Sequence, residues 1–363
     1  MPIPHARPPV SRHLLGLGLL LVTMVAGYAA SRVYERPHVV HLQASVAPSF
    51  EPESTEGDPW ADALAESARL NAEPRRRAEF RDYSVTQNDD VRYFLDLFTR
   101  SRREVVETWM GRSGRYLAMI QEVFRSQGLP TDLAFTAMIE SGFDPRAVSS
   151  ARAKGLWQFM APTARRYGLR VDRWVDERLD PEKSTVAAAA YLRDLYRQFG
   201  SWELAHAAYN AGEGKVIRAI RVTGSSNFWN LTRTKHLRRE TREYVPAIQA
   251  ATLIGRDPDQ YGFAVGGDPW DDTERVSVPP STDLRRLAAD AGLSPAMLRG
   301  LNPTLVRGMT PPGTPWEIRV PRGTSEGVLA ALAPRPWIAG PRRLGLERAR
   351  SPRLAHGPVT RSR

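Results

Sequence analysis

The sequence of 363 residues contains no cysteine. This absence excludes disulfide bonds, thiolate metal sites and cysteine nucleophiles, and it leaves no residue that could accept a lipid after an export signal. The protein is therefore not predicted to be a lipoprotein. Its chemistry is predicted to be independent of thiol redox state.

The sequence also lacks any His-x-x-x-His pair among its seven histidines, a spacing that is typical of metal sites on helices. We therefore predict neither a metal ion nor a cofactor, and we expect His206 to lie on the flank of a helix. The net charge of +11 attracts polyanions in general, but no nucleic-acid recognition motif accompanies it. Nucleic acid is not a predicted partner, and the sequence does not indicate an oligomeric state.

An uncharged run of 17 residues, 14–30, follows the basic residues Arg7 and Arg12. This pattern is typical of an export signal, and the run is short beside the roughly 20 apolar residues that span a bilayer. Residues 1–32 are predicted to be a cleaved signal peptide or, alternatively, an uncleaved anchor in the inner membrane. Either alternative places the protein outside the cytoplasm, in the periplasm or cell envelope.

The rest of the chain divides by composition. Residues 33–85 are rich in proline, alanine and acidic residues and are predicted to be a linker. Residues 86–258 show helical periodicity, with Asp180-Pro181 predicted to begin one helix and Gly200 and Gly255 to end others. Residues 273–323 have a βααβ pattern, and residues 333–363 form a basic tail with eight arginines and one glutamate. The predicted fold class is mainly α, with a small second domain.

Residues 133–139 are apolar on almost every side, as in a helix buried in a core, and Glu140 follows them directly. Desolvation of a carboxylate raises its pKa toward the value that a general acid needs near neutral pH. Glu140 is therefore a candidate catalytic residue, although a surface residue at a helix end fits this segment as well, and the residues that follow it favour the catalytic role. Asp144 is the nearest other carboxyl, and its position before Pro145 favours a role in a turn.

Glu140 is followed by residues whose hydroxyl, amide, aromatic or exposed backbone groups are of the kind that bind sugars. The candidate substrate-binding residues are Ser141, Ser149, Gly155, Gln158, Phe159, Tyr209, Asn210 and Tyr244. Trp157 is open to two interpretations, stacking on a sugar or packing in the core.

In order along the chain, these motifs resemble those of the lytic transglycosylases of glycoside hydrolase family 23, and most closely the membrane-bound D-type branch. The motifs are Glu140-Ser141, Ser149, Gly155-Leu156-Trp157-Gln158, Ala-Tyr-Asn-Ala-Gly at 208–212 and Glu-Thr-x-x-Tyr-Val at 240–245. The resemblance implies a lysozyme-like helical domain that cleaves the β-1,4 bond between N-acetylmuramic acid and N-acetylglucosamine and leaves 1,6-anhydromuramic acid ends.

The same resemblance implies that one carboxyl, that of Glu140, acts first as acid and then as base. It implies that Ser149 and Gln158 contact substrate and that Tyr209, Asn210 and Tyr244 line the cleft, with Tyr244 close to Glu140. The βααβ region resembles a LysM module, which binds glycans that contain N-acetylglucosamine, although a purely structural domain fits its pattern nearly as well. Peptidoglycan strands are the expected partner, and the basic tail is a second candidate contact, with anionic lipid or wall polymers.

Two alternatives stay open at this point. A hydrolase on the same fold, similar to goose-type lysozyme, would release reducing muramic acid ends instead of anhydro ends. A scaffold without catalytic activity would bind peptidoglycan through the LysM-like module and cut nothing.

Overall fold

The structure is a computed structural model that describes residue 80, residues 82–266 and residues 273–333. The predicted signal or anchor (1–32), most of the predicted linker and nearly all of the basic tail lie outside the described residues. Within the described ranges, no helix has the length and apolar character needed to cross a membrane.

The first part of the described chain is helical, as expected for a mainly α protein. Its helices are α1 (Asp89–Asp96), α2 (Arg103–Ser126), α3 (Phe135–Ser141), α4 (Ala161–Arg166), α5 (Pro181–Phe199), α6 (Trp202–Ala211), α7 (Glu213–Thr223), α8 (Phe228–Thr232) and α9 (Arg239–Arg256). A π-helical turn (Leu97–Ser101) follows α1, and 3-10 turns lie at Thr131–Ala134, Glu177–Leu179 and Asp259–Tyr261.

Local sequence signals account for the ends of α5. The side chain of Asp180 accepts hydrogen bonds from the backbone N–H groups of Glu182 and Lys183, and Pro181 occupies the first turn, where its missing N–H leaves no helical bond unmade. Gly200 ends the helix with a left-handed φ of 69°. These are the boundaries that the sequence predicts.

The expectation that Gly255 ends a helix was wrong. Helix α9 continues through Gly255 to Arg256. The aromatic ring of Phe135 occupies the space in which a Cβ of residue 255 would stand, with the nearest ring carbon 1.9 Å from that point. Gly255 is therefore a packing residue that lets α3 approach α9 closely.

Helix α3 lies at the centre of the core. Its residues Phe135 to Ile139 are all buried, and α9, which packs against α3, also packs against α1 and α6. A short helix that is enclosed in this way buries apolar surface on every side, in agreement with its sequence. The carboxyl-terminal end of α3 is the part that reaches the protein surface, and Glu140 lies there.

The second part of the chain is a β-α-α-β unit. Strands β1 (Thr273–Val278) and β2 (Trp316–Pro321) pair antiparallel, and helices α10 (Leu284–Asp290) and α11 (Pro295–Leu301) connect them. A further helix, α12 (Ser325–Leu332), was not predicted from the sequence; it packs on β1 and α10. We call residues 273–333 the C-terminal module.

Candidate active site

Glu140 and Ser141 form the last turn of α3, and Gly142 ends the helix in a left-handed conformation with φ of 58°. A Cβ on Gly142 would lie 2.1 Å from the ring of Trp109, so only glycine allows the chain to turn there. The turn continues at Asp144, whose carboxylate accepts a 2.9 Å hydrogen bond from the backbone N–H of Arg146. Asp144 therefore has the turn role that the sequence favours.

The carboxyl group of Glu140 is held by Tyr244, whose phenol donates a 2.5 Å hydrogen bond to Oε1. Burial raises the pKa of Glu140 to about 7, the hydrogen bond from Tyr244 lowers it in part, and the negative charge of Glu240 raises it further. Tyr244 is itself buried, and burial together with the charge of Glu140 raises its pKa well above the usual value. The phenol thus keeps its proton and acts as the donor.

Glu240 is a second carboxyl of the site that the sequence analysis did not assign a role. It lies in the first turn of α9, one turn before Tyr244, and its charge acts on Glu140. Burial raises the pKa of Glu240, and contacts with Arg238 and Asn210 oppose that rise. The spacing of four residues to Tyr244 on one helix face is the sequence signal that would have found it.

Tyr209 and Asn210, at the end of α6, complete this side of the site. The Tyr209 hydroxyl donates a 2.8 Å hydrogen bond to the backbone carbonyl of Trp157, and burial followed by the charge of Glu140 raises the pKa of Tyr209 well above its usual value. The Asn210 side-chain oxygen accepts a 2.9 Å bond from the hydroxyl of Thr241. The two residues therefore connect the end of α6 to the backbone at Trp157 and to α9.

The motif Gly155-Leu156-Trp157-Gln158 forms a tight turn beside Glu140. The Ser141 hydroxyl donates a 2.9 Å hydrogen bond to the carbonyl of Leu156, which fixes the turn to the end of α3. The amide of Gln158 donates to the carbonyls of Gly155 and Ala147, at 2.9 and 3.2 Å. These bonds hold the turn's own shape. We call residues 152–159 the cleft turn.

Ser149 and Phe159 are buried, so neither side chain is exposed to solvent as a substrate-contacting side chain is expected to be. The Ser149 hydroxyl accepts a 3.0 Å hydrogen bond from the N–H of Ala153, and the Phe159 ring packs against Tyr191 and Tyr209. Contact of Ser149 and Phe159 with substrate stays a prediction.

Trp157 packs in the core. Its side chain is fully buried and its indole N–H donates a 2.9 Å hydrogen bond to the hydroxyl of Thr185. Of the two interpretations that the sequence leaves open, the structure supports the packing role.

His206 does not lie on a helix flank, as the sequence analysis expected. It is fully buried, and its Nε2 atom lies 3.0 Å from the hydroxyl of Thr136 on α3. Burial lowers the pKa of His206 to about 3, so the ring is neutral at physiological pH. In the part of the chain that the structure describes, no group of three or more histidine or acidic side chains could hold a metal ion.

Two descriptions of known protein families match parts of this chain. The description "Transglycosylase SLT domain" matches residues 119–232, which include Glu140 and the cleft turn, and "Lytic transglycosylase MltD, LysM-like domain" matches residues 272–334. The chain therefore carries an SLT transglycosylase domain followed by a LysM-like domain of the MltD type. The resemblance drawn from the motifs is confirmed.

Among individual relatives, the chain is homologous to the membrane-bound lytic murein transglycosylase D of Escherichia coli. The two are 30% identical over 258 residues, which make up 69% of this chain and 55% of the relative. The membrane-bound lytic murein transglycosylase F of Maricaulis maris is 32% identical over 191 residues, which cover 45% of this chain and 39% of that protein. The chain thus spans about half the length of the first relative and about two fifths of the second.

Among solved structures, an inactive mutant of the lytic transglycosylase Slt from Pseudomonas aeruginosa is 28% identical to this chain, with a TM-score of 0.35. The match covers 41% of this chain and 25% of that one. The 70 kDa soluble lytic transglycosylase of Escherichia coli is 22% identical, with a TM-score of 0.36 over 56% of this chain and 34% of that one.

Proposed function

We propose that this protein is a peptidoglycan lytic transglycosylase that cleaves the β-1,4 bond between N-acetylmuramic acid and N-acetylglucosamine and forms 1,6-anhydromuramic acid ends. The observation that carries the proposal is that the buried Glu140 carboxyl has a raised pKa and is held by a hydrogen bond from Tyr244. Its pKa of about 7 leaves a large fraction of the carboxyl groups protonated near neutrality, and Tyr244 orients the group at 2.5 Å.

In the proposed reaction Glu140 gives its proton to the glycosidic oxygen as the bond from that oxygen to C1 of the muramic acid breaks. The resulting Glu140 carboxylate then takes the proton of the C6 hydroxyl of the same sugar, and the C6 oxygen forms the new bond to C1. The proton count balances without added water, and Glu140 returns to its protonated form. The phenol of Tyr244 stabilises the carboxylate between the two steps.

The substrate is proposed to lie across the cleft turn. Ser141, Ser149, Gly155, Gln158, Phe159, Tyr209, Asn210 and Tyr244 are the proposed substrate-binding residues. Some of them would act through the turn's shape, since their polar groups bond to its backbone. The C-terminal module is proposed to bind glycan that contains N-acetylglucosamine. Peptidoglycan as the substrate places the protein in the cell envelope, and the names of the relatives agree with a membrane association.

Replacement of Glu140 by glutamine tests the proposal, because Glu140→Gln keeps the side-chain shape and removes the transferable proton. General acid and base groups contribute about 10²–10⁴-fold to a rate, so release of anhydro-muropeptides from purified sacculi should fall by that factor. Glu122→Gln, at an exposed position on α2, is the matched control and should leave the rate unchanged. Near-normal digestion by Glu140→Gln would reject the assignment.

A hydrolase is the second candidate, and Glu240 is the observation that favours it. A second carboxyl near the acid is the arrangement with which many glycosidases activate water. Mass spectrometry of the products separates the two reactions, since an anhydro end lacks the water that hydrolysis adds. Reducing ends in the wild-type digest, lost in Glu240→Gln, would replace the transglycosylase proposal by the hydrolase. If sacculi are bound but not cut at any pH, the protein is a scaffold.

A further inference from the structure

The C-terminal module is joined to the helical domain by strand-like pairing. Val175, in the loop between α4 and α5, forms an antiparallel bridge with Leu305 of the module. On either side, the N–H of Asp176 donates to the carbonyl of Thr304 at 2.9 Å and the N–H of Val306 donates to the carbonyl of Trp174 at 3.1 Å. Three residues of the helical domain therefore continue the module's backbone hydrogen bonding.

Side chains reinforce this junction. Val175 is fully buried within the module's own apolar core, although it belongs to the helical domain. Glu182, near the start of α5, accepts a 2.5 Å hydrogen bond from Arg275 of the module and forms a 2.9 Å ion pair with Arg319 of the module. The buried side chain of Val175 holds the helical domain and the C-terminal module together, because withdrawing it would expose apolar surface and leave a cavity in the module.

Asp176, the residue after Val175, connects the junction to residues near the cleft turn. Asp176 is buried, and its carboxylate accepts two 2.8 Å hydrogen bonds from Arg178 and one 2.9 Å bond from Lys154. Burial opposes ionisation of Asp176, but the bonds from Arg178 and Lys154 outweigh it and lower its pKa. A buried network of this kind holds its members in one geometry, because a partner left unpaired would be strongly disfavoured.

Arg178 and Lys154 connect that network to the cleft turn. The guanidinium of Arg178 donates to the carbonyls of Arg152 and Phe159, at 2.9 and 3.0 Å, and so clamps both ends of the turn. The backbone carbonyl of Arg178 lies 1.8 Å from where a Cβ of Gly155 would stand, so the turn packs directly on this segment. Lys154 is itself a residue of the turn. The contacts from module to cleft turn are therefore continuous.

We propose that the C-terminal module is a positioning element for catalysis: by holding Val175 and Asp176 it fixes the cleft turn beside Glu140. This inference rests on the proposed function for its kinetic consequences. It assigns Val175 and Asp176, which lie outside the cleft, as positioning residues. A module that only tethers the enzyme to glycan would leave turnover of a soluble fragment unaffected by the junction.

The test uses the full chain with a matched pair of truncations. Val175→Ala and Val328→Ala remove the same atoms from the same apolar core, at two fully buried positions, but only Val175 belongs to the helical domain. Asp176→Asn keeps the shape of the junction and removes the charge that Arg178 and Lys154 contact. Turnover is measured on a soluble peptidoglycan tetrasaccharide and on whole sacculi, and amide hydrogen exchange is measured at Lys154 and Phe159.

Because small displacements of substrate-positioning groups reduce rates by up to about a hundredfold, we expect Val175→Ala and Asp176→Asn to lower kcat about tenfold on both substrates. Exchange at the cleft turn should speed up in both variants. Val328→Ala should stay within about twofold of wild type in kcat and exchange. The pH at which activity falls should not move, since Glu140 keeps its own contacts.

Loss of sacculus digestion with unchanged turnover of the tetrasaccharide would overturn the proposal in favour of a tether. Unchanged exchange at Lys154 and Phe159 in Val175→Ala would also overturn it. If the wild-type protein forms no anhydro product from either substrate, the proposed function fails instead. The exchange measurement still decides whether the module holds the cleft turn.

Discussion

Replacement of Tyr244 by phenylalanine is expected to move the pH at which activity is lost. Tyr244 is buried and its ring packs in the core, so phenylalanine fills the same space and removes only the hydroxyl that bonds to Glu140. This hydrogen bond favours the charged form of Glu140 and holds its pKa below what burial alone would give. Without it, the pKa of Glu140 rises.

The size of the pKa change follows from the strength of the hydrogen bond between Tyr244 and Glu140. A hydrogen bond to a charged group contributes about 1.5–3 kcal/mol, and one pKa unit corresponds to about 1.36 kcal/mol, so the pKa of Glu140 should rise by roughly one to two units from its value of about 7. The reaction begins from the protonated acid. In the wild-type protein kcat/KM should therefore fall as the pH rises through about 7, and in Tyr244→Phe the fall should occur at higher pH.

The assay is kcat/KM for a soluble peptidoglycan fragment, measured on both sides of neutrality. The plateau at low pH should be lower in Tyr244→Phe, because the carboxylate formed in the first step loses its donor. Glu240→Gln is the opposing control: it removes a negative charge that raises the pKa of Glu140, so its fall in activity should move to lower pH. Movement of both variants in the same direction, or of neither, would refute the reasoning.

Two further predictions concern stability. Gly155→Ala should lower the Tm far more than Gly200→Ala, since both glycines have positive φ but only the Cβ at 155 would meet a backbone atom, the carbonyl of Arg178; equal losses would contradict the packing argument. His206 has a folded pKa of about 3, below its usual 6.5, so protonation favours the unfolded chain and stability is lost as the pH falls below 6.5. The wild type should lose about 1.4 kcal/mol for each pH unit relative to His206→Gln in denaturant titrations, and parallel curves would contradict the burial of a neutral ring.

The sequence allowed the local features of the fold to be predicted. Asp180-Pro181 and Gly200 mark the ends of α5 because capping and left-handed φ depend on neighbouring residues alone. Glu140 was found from two signals together: an uninterrupted apolar helix that ends in a carboxyl predicts desolvation at that carboxyl, and the motifs that follow it resemble those of the transglycosylase family. The βααβ order of the module was also predictable from its short alternating and helical runs.

The features that were missed depend on residues far apart in the sequence. Glu240 acts on Glu140 from 100 positions away, and the only local signal for this is its spacing of four residues to Tyr244, which indicates a role only once Tyr244 is known to lie beside Glu140. His206 is a polar residue that the buried face of α6 tolerates because Thr136, on another helix, bonds to it. Gly255 was mistaken for a helix end because its function, room for the ring of Phe135, depends on a contact between helices.

The motif of the cleft turn can be recognised from the sequence, but the roles of its residues depend on contacts that only the structure shows. Gly155 is required by the carbonyl of Arg178, and the Gln158 amide bonds to the backbone of its own turn. The Ser141 hydroxyl bonds to a carbonyl of the same turn. Residues that suggest sugar contacts when each is considered alone therefore also hold the shape of the cleft turn. Substitutions among them should therefore act on kcat through the position of the cleft turn, which Asp176 and Arg178 connect to the C-terminal module.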